Sequence, residues 1–96
     1  MTRAQVLEQL ALSKPTLVSR YGVSRLALFG STVRDTARGD SDIDVLVSFD
    51  GPATSERYFG VQFFLEDLLG RPVDLVTDRA LRPELRPFIE KEAVHV

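Results

Sequence analysis

The chain has no cysteine, a single histidine and no apolar run long enough to cross a bilayer. Without thiols, neither a disulfide nor a thiolate zinc site can form. His95 stands one residue from the end and reads as a surface side chain. No histidine therefore lies close enough in sequence to Ser31 to make that serine a nucleophile. An excess of positive charge is missing too. Twelve Lys and Arg stand against fourteen Asp and Glu, a net charge of -2. Proteins that hold nucleic acid by neutralising phosphates usually carry the opposite balance, so no stable nucleic-acid binding is expected. The opening Met1-Thr2-Arg3-Ala4-Gln5 lacks the apolar core of a signal peptide. A cytoplasmic protein with no membrane association is the expectation. There is no internal repeat, low-complexity tract or linker.

What is present describes one small domain. Ninety-six residues, 44% apolar and 27% charged, are ordinary for a globular chain and leave room for one core, over residues 1–96, with no second lobe. A domain of this size buries about two-thirds of its unfolded surface, so its stability margin is thin and partner binding is a natural supplement.

Val6, Leu7, Leu10 and Ala11 follow Thr2, a suitable N-cap, at helical spacing. Ser13 and Pro15 are expected to interrupt or restart this helix before Gly22 stops it. Arg25 to Phe29 reads as a buried strand, and a short helix from Ser31 or Thr32 to Ala37 is expected next, with Gly39-Asp40-Ser41 as a turn. Asp42 to Phe49 is a second strand and Val73 to Val76 a third. Between them, Thr54 or Ser55 caps a helix that Gly70 and Pro72 end. Pro83 opens a last helix, with Leu85, Phe88 and Ile89 inward, ending near Val94. The aromatics Tyr58, Phe59, Phe63 and Phe64 read as core, but they are too many for one helical stripe, so some of them reach a partner. The order α-β-α-β-α-β-α gives an α/β (α+β) fold, with helices packed on a small mixed sheet of about three strands.

The most informative pattern is Gly30-Ser31, ten residues, then Asp42-Ile43-Asp44 at the head of an apolar run. Side chains at i and i+2 of a strand leave one face, roughly 6–7 Å apart, so Asp42 and Asp44 can share a hard cation while Ile43 enters the core. Ser31 leaves the end of its strand, whereas the two acids begin theirs. They meet only if those strands run antiparallel. Asp74, between Val73 and Leu75, joins them if its strand is parallel to the second, and the helix between is long enough for that crossover. A third carboxylate would complete a site for two metals about 3.5–4 Å apart, the geometry of in-line nucleotidyl displacement. It could also accept a hydroxyl proton. Gly30 permits a sharp turn and close approach, and the amides from Ser31 onward suit phosphate oxygens. Arg34 and Arg38 are candidates to neutralise the outer phosphates.

Each part alone is weak, because Gly-Ser is common punctuation and half-exposed strands alternate polar and apolar residues. The conjunction, with this spacing and a third acid, is strong. Asp40, Asp42 and Asp44 imitate the start of an EF-hand loop, but Val45 stands where that loop needs glycine and Gly51 where it needs glutamate.

With LALFGSTVRDTARGDSDIDVLVSFD, LLGRPVDLVTDRAL and the closing LRPFIEKEAVHV, nearly the whole chain resembles the minimal nucleotidyltransferase (MNT) antitoxins of the DNA polymerase β-like nucleotidyltransferase superfamily. The resemblance implies a nucleotidyltransferase fold and an antitoxin partnered with a HEPN-domain ribonuclease toxin in a hetero-oligomer. It implies transfer of AMP from ATP, with Mg²⁺ (two ions), to a tyrosine hydroxyl of that toxin, silencing it. Carried over, Gly30 and Ser31 hold the nucleotide phosphates, Asp42 and Asp44 bind metal and Asp74 is the third acid. Asp35 departs from the family, which often has glycine after the arginine. Larger relatives add a domain to bind their acceptor, and this length leaves no space for one, so the acceptor is expected to be a protein bringing its own surface. Two other readings stay open: an antitoxin that masks its toxin by binding alone, and an ATP-binding sensor.

Overall fold

The structure, a computed structural model, describes residues 2–34 and 42–96. The first helix, α1 (Arg3–Tyr21), starts at a reciprocal cap: Gln5 N donates to Thr2 Oγ1 at 3.2 Å while Thr2 N donates to Gln5 Oε1 at 2.9 Å. It runs unbroken to Gly22, which corrects the interruption expected at Ser13 and Pro15. An interior proline costs about 3 kcal/mol, from a missing N–H and a ring against the preceding turn. Leu10 and Leu17, on either side of it, are both fully buried in one core, and burying each contributes about 1.5–3 kcal/mol. Pro15 itself faces outward, where water can take the freed carbonyl.

The first strand, β1 (Val23–Phe29), begins two residues earlier than Arg25, because an irregularity between Val23 and Arg25 hides the alternation. It pairs antiparallel with β2 (Ile43–Phe49), and β2 pairs in parallel with β3 (Val73–Thr77), as the motif requires. The crossover is α2 (Ser55–Leu69), capped by Thr54 and stopped by the left-handed Gly70. A fourth strand, β4 (Val94–His95), lies antiparallel on the other side of β1 and corrects the count of about three. Two residues are too short to show periodicity, so this tail reads as a helix end in sequence. The last helix, α3 (Arg86–Glu92), opens with Pro87 in its first turn rather than at Pro83. Leu85 and Phe88 are exposed, Phe88 at 73%, and of the three residues expected inward only Ile89 packs against buried neighbours.

Helices α1 and α2 cover one face of the sheet, where Val6, Leu10, Leu17, Leu26, Leu28, Ile43, Val45 and Leu65 form the main core. The other face carries a smaller cluster of Ala27, Leu46 and Leu81, with Ile89 and Ala93 against it. Tyr58 and Phe64 join the main core, whereas Phe59 and Phe63 stay on the surface with their rings stacked 6.1 Å apart. Among the described residues no helix is long and apolar enough to cross a membrane.

Candidate active site

Strand direction brings the motif together. Phe29 ends β1 opposite Asp44, and Asp44 stands abreast of Asp74 across the parallel β2–β3 pair. Asp44 shares the face of Leu46, away from α1 and α2, while Ile43 is fully buried on the other side. Asp42 and Asp74 are exposed and Asp44 is half-buried.

The Gly30–Thr32 segment is a single 3-10 turn, continued by Arg34 N donating to Gly30 O at 3.4 Å. The remainder of the expected helix, with Asp35 and Arg38, and the Gly39-Asp40-Ser41 turn lie outside the described residues. Gly30 has φ +77°, in the left-handed region, and a Cβ built on it would collide with Asp44 Oδ2 and stand 2.9 Å from the carboxyl carbon. The sequence suggests a glycine there for closeness to a ligand. The structure adds that this glycine is also what lets the turn lie on Asp44.

The Asp44 carboxyl is pushed up to about 6 from 3.8. Burial is the largest cause, followed by the charges of Asp74 and Asp42, a side-chain hydrogen bond with Asp74, and the charge of Glu92. Among the described residues no three acids or histidines form a group that could hold a metal unaided. What the described residues assemble is an acidic rim in which burial and neighbouring carboxylates raise Asp44.

That rim implies a pH dependence. Below about pH 4, Asp44 is protonated in both folded and unfolded chains and costs nothing. As pH rises to about 6 the unfolded chain releases its proton more readily, so the folded state loses stability, and above that the full penalty persists. In chelator, Asp44→Asn is therefore expected to unfold at higher urea than wild type at neutral pH, with the gap closing as pH falls from about 6 to about 4. A gap that does not change with pH contradicts this account.

The sequence profile of the nucleotidyltransferase domain matches residues 12–96. The chain belongs to this nucleotidyltransferase family. The protein adenylyltransferase MntA of Thermococcus cleftensis is 34% identical over 96 residues, spanning 100% of this chain and 97% of that protein. A solved minimal nucleotidyltransferase superposes with a TM-score of 0.81 at 37% identity, covering 98% of this chain and 95% of that one. Two solved toxin–antitoxin complexes align at TM-scores of 0.69 and 0.59 and identities of 21% and 19%, covering 99% and 97% of this chain and 72% and 66% of theirs. One is a complex with AMP-PNP; the other holds a tri-AMPylated Shewanella oneidensis HEPN toxin with its MNT antitoxin. At that identity they show the shared nucleotidyltransferase fold.

Two features of this nucleotidyltransferase escape a reading of the motif. Tyr58, Gln62 and Glu66, one turn apart on α2, bond the outer edge of β3. Tyr58 Oη donates to Leu75 O at 2.5 Å, Gln62 Nε2 to Val73 O at 3.3 Å, and Val73 N donates to Glu66 Oε2 at 2.9 Å. They tie down the backbone on both sides of Asp74. The four-residue spacing of these polar side chains on a core-facing helix is the signal that could have found them. The second feature is Glu92, whose carboxylate accepts from Arg34 Nη1 at 2.7 Å. Nothing local in sequence connects residues 58 positions apart.

Proposed function

We propose that this nucleotidyltransferase transfers AMP from ATP to a tyrosine hydroxyl of a HEPN-domain toxin and silences it, the two chains forming a hetero-oligomer. The observation that carries the reading is the contact of the Gly30 turn with Asp44, beside Asp74, at one open end of the sheet. It sets a phosphate-binding turn against paired carboxylates, an arrangement that proton transfer alone does not need.

The donor set fits a hard cation. Oxygen ligands only, in a rim where burial and then mutual repulsion raise Asp44, match Mg²⁺, which takes one or two carboxylates and completes its shell with phosphates and water. Asp42 and Asp44 would hold magnesium, with Asp74 beside them as the third acid. Magnesium bound there would neutralise charge on the α-phosphate and on the departing pyrophosphate.

The chain's own residues do the rest. Gly30 and Ser31 present the turn to the triphosphate, and Arg34 adds a guanidinium at its edge. The acceptor oxygen bonds to the α-phosphorus as the bond to pyrophosphate breaks, and Asp74, exposed and open to an incoming hydroxyl, receives the proton. Exposed Phe59, Phe63 and Phe88 offer apolar surface for a partner chain to cover. The adenylyltransferase activity named for the Thermococcus relative and the AMPylated toxin of the solved complex support the same chemistry.

The test is the intact mass of a HEPN-type protein encoded beside this chain, purified after incubation with it, ATP and Mg²⁺. One or more AMP increments on tyrosine are expected. A toxin that is silenced with its mass unchanged would establish masking instead, and ATP bound tightly without transfer would establish a sensor.

A further inference from the structure

Arg34 and Glu92 meet from very different foundations. Glu92 closes α3 at the point where the chain is held on several sides. Ala93 N donates to Ile89 O at 2.8 Å, and Ile89 and Ala93 pack on Ala27 and Leu46. His95 and Val94 pair with Ala27 and Leu28, Val96 N donates to Leu26 O at 3.0 Å, and Lys14 Nζ donates to Val96 O at 2.6 Å. Arg34 instead follows a single 3-10 turn, and its side chain is 56% exposed against 24% for Glu92. The fixed partner is the acid.

The bond uses only Nη1 of the guanidinium. Arginine has five donors in a planar fork, so one edge can rest on a carboxylate while the others face a second anion. Among the described residues Arg34 bonds no other side chain. Glu92 also lies close enough to bear on Asp44, which places the pair at the acidic rim. An ion pair this exposed does little for stability, which leaves orientation as its use.

We propose that Glu92 is a positioning residue for the nucleotide: it holds Arg34 by one edge beside the Gly30–Ser31 turn so that the remaining donors meet the polyphosphate. The inference rests on the nucleotide-transfer reading above. The opposing possibility is that Glu92 competes with phosphate for Arg34, and the two give opposite signs.

Initial rates of AMP transfer at varied ATP, in Mg²⁺, decide between them for wild type, Glu92→Gln, Arg34→Ala and the double variant. Glu92→Gln is expected to raise KM for ATP about fivefold to tenfold and to leave kcat within about twofold, because it removes oriented binding rather than chemistry. Arg34→Ala should raise KM at least as much, and the double variant no further than Arg34→Ala alone. Unfolding midpoints should stay at the wild-type value, which separates positioning from a structural role. A KM that falls or holds in Glu92→Gln, or effects that add, overturns the proposal while transfer by wild type still stands. Should wild type transfer nothing, the transfer reading fails separately. Calorimetric ATP binding by the same four proteins then tests Glu92: weaker binding by Glu92→Gln is expected, and equal or tighter binding overturns the proposal.

Discussion

Asp44→Asn is expected to cut AMP transfer about 10²–10³-fold at saturating ATP and Mg²⁺, the loss typical of deleting one preorganised electrostatic group. Asparagine keeps the shape of the side chain and can still donate to Asp74, so the turn on Gly30 and the β2–β3 pairing should persist. What disappears is a negative charge held beside two others in a half-buried position. The same substitution should stabilise the metal-free fold at neutral pH, as argued from its raised pKa. Opposite signs for activity and stability mark a group kept for chemistry at the expense of the fold. Asp50→Asn is the control. Asp50 is exposed and pairs with Arg57 at 2.9 Å beyond the other end of β2, so its loss should leave transfer within about twofold and change stability by less than about 1 kcal/mol. Single-turnover incorporation of labelled AMP into the partner is the measurement. An Asp44→Asn rate within tenfold of wild type would remove Asp44 from the reaction.

The motif was legible because strand geometry is local. Asp42, Ile43 and Asp44 alternate by the two-residue period of a strand. Positions of Ser31 and Asp74 at opposite kinds of strand end then force one antiparallel and one parallel pairing, and both are found. Elements decided by the rest of the molecule were not legible. Pro15 stays in α1 because Leu10 and Leu17 are buried in the same core, a tertiary effect that outweighs propensity. Phe88 and Leu85 look like a core stripe at helical spacing, yet α3 covers only a narrow cluster at Ala27 and Leu46 and leaves both outside. Among the residues around the candidate site, Arg34 carried a phosphate-facing expectation. Its bond to Glu92 depends on where β4 anchors the tail, which no spacing in the sequence encodes.

Gly30→Ala and Gly70→Ala together separate backbone strain from the contact at Asp44. Both glycines are left-handed, at φ +77° and +67°, so alanine costs each about 1–2 kcal/mol in conformation. Gly70 has open space where a Cβ would sit, and its substitution should lower stability by that amount alone, with transfer unchanged. At Gly30 the Cβ would also occupy the place of the Asp44 carboxyl, so either the turn or the acid must move. An added loss of about 1–3 kcal/mol is expected, within the range for overpacking. Displacing one half of the site from the other by about 1 Å should lower transfer on the order of 10²-fold. The decisive comparison is in the Asp44→Ala background, where the carboxyl that collides is gone. There the Cβ of residue 44 still stands 3.1 Å away, a contact relieved by a shift of a few tenths of an ångström, so most of the excess cost of Gly30→Ala over Gly70→Ala should vanish, since coupled neighbours do not add. Equal urea midpoints for Gly30→Ala and Gly70→Ala in the wild-type background would mean that the turn does not rest on Asp44, and the two halves of the site would then lose the contact that joins them.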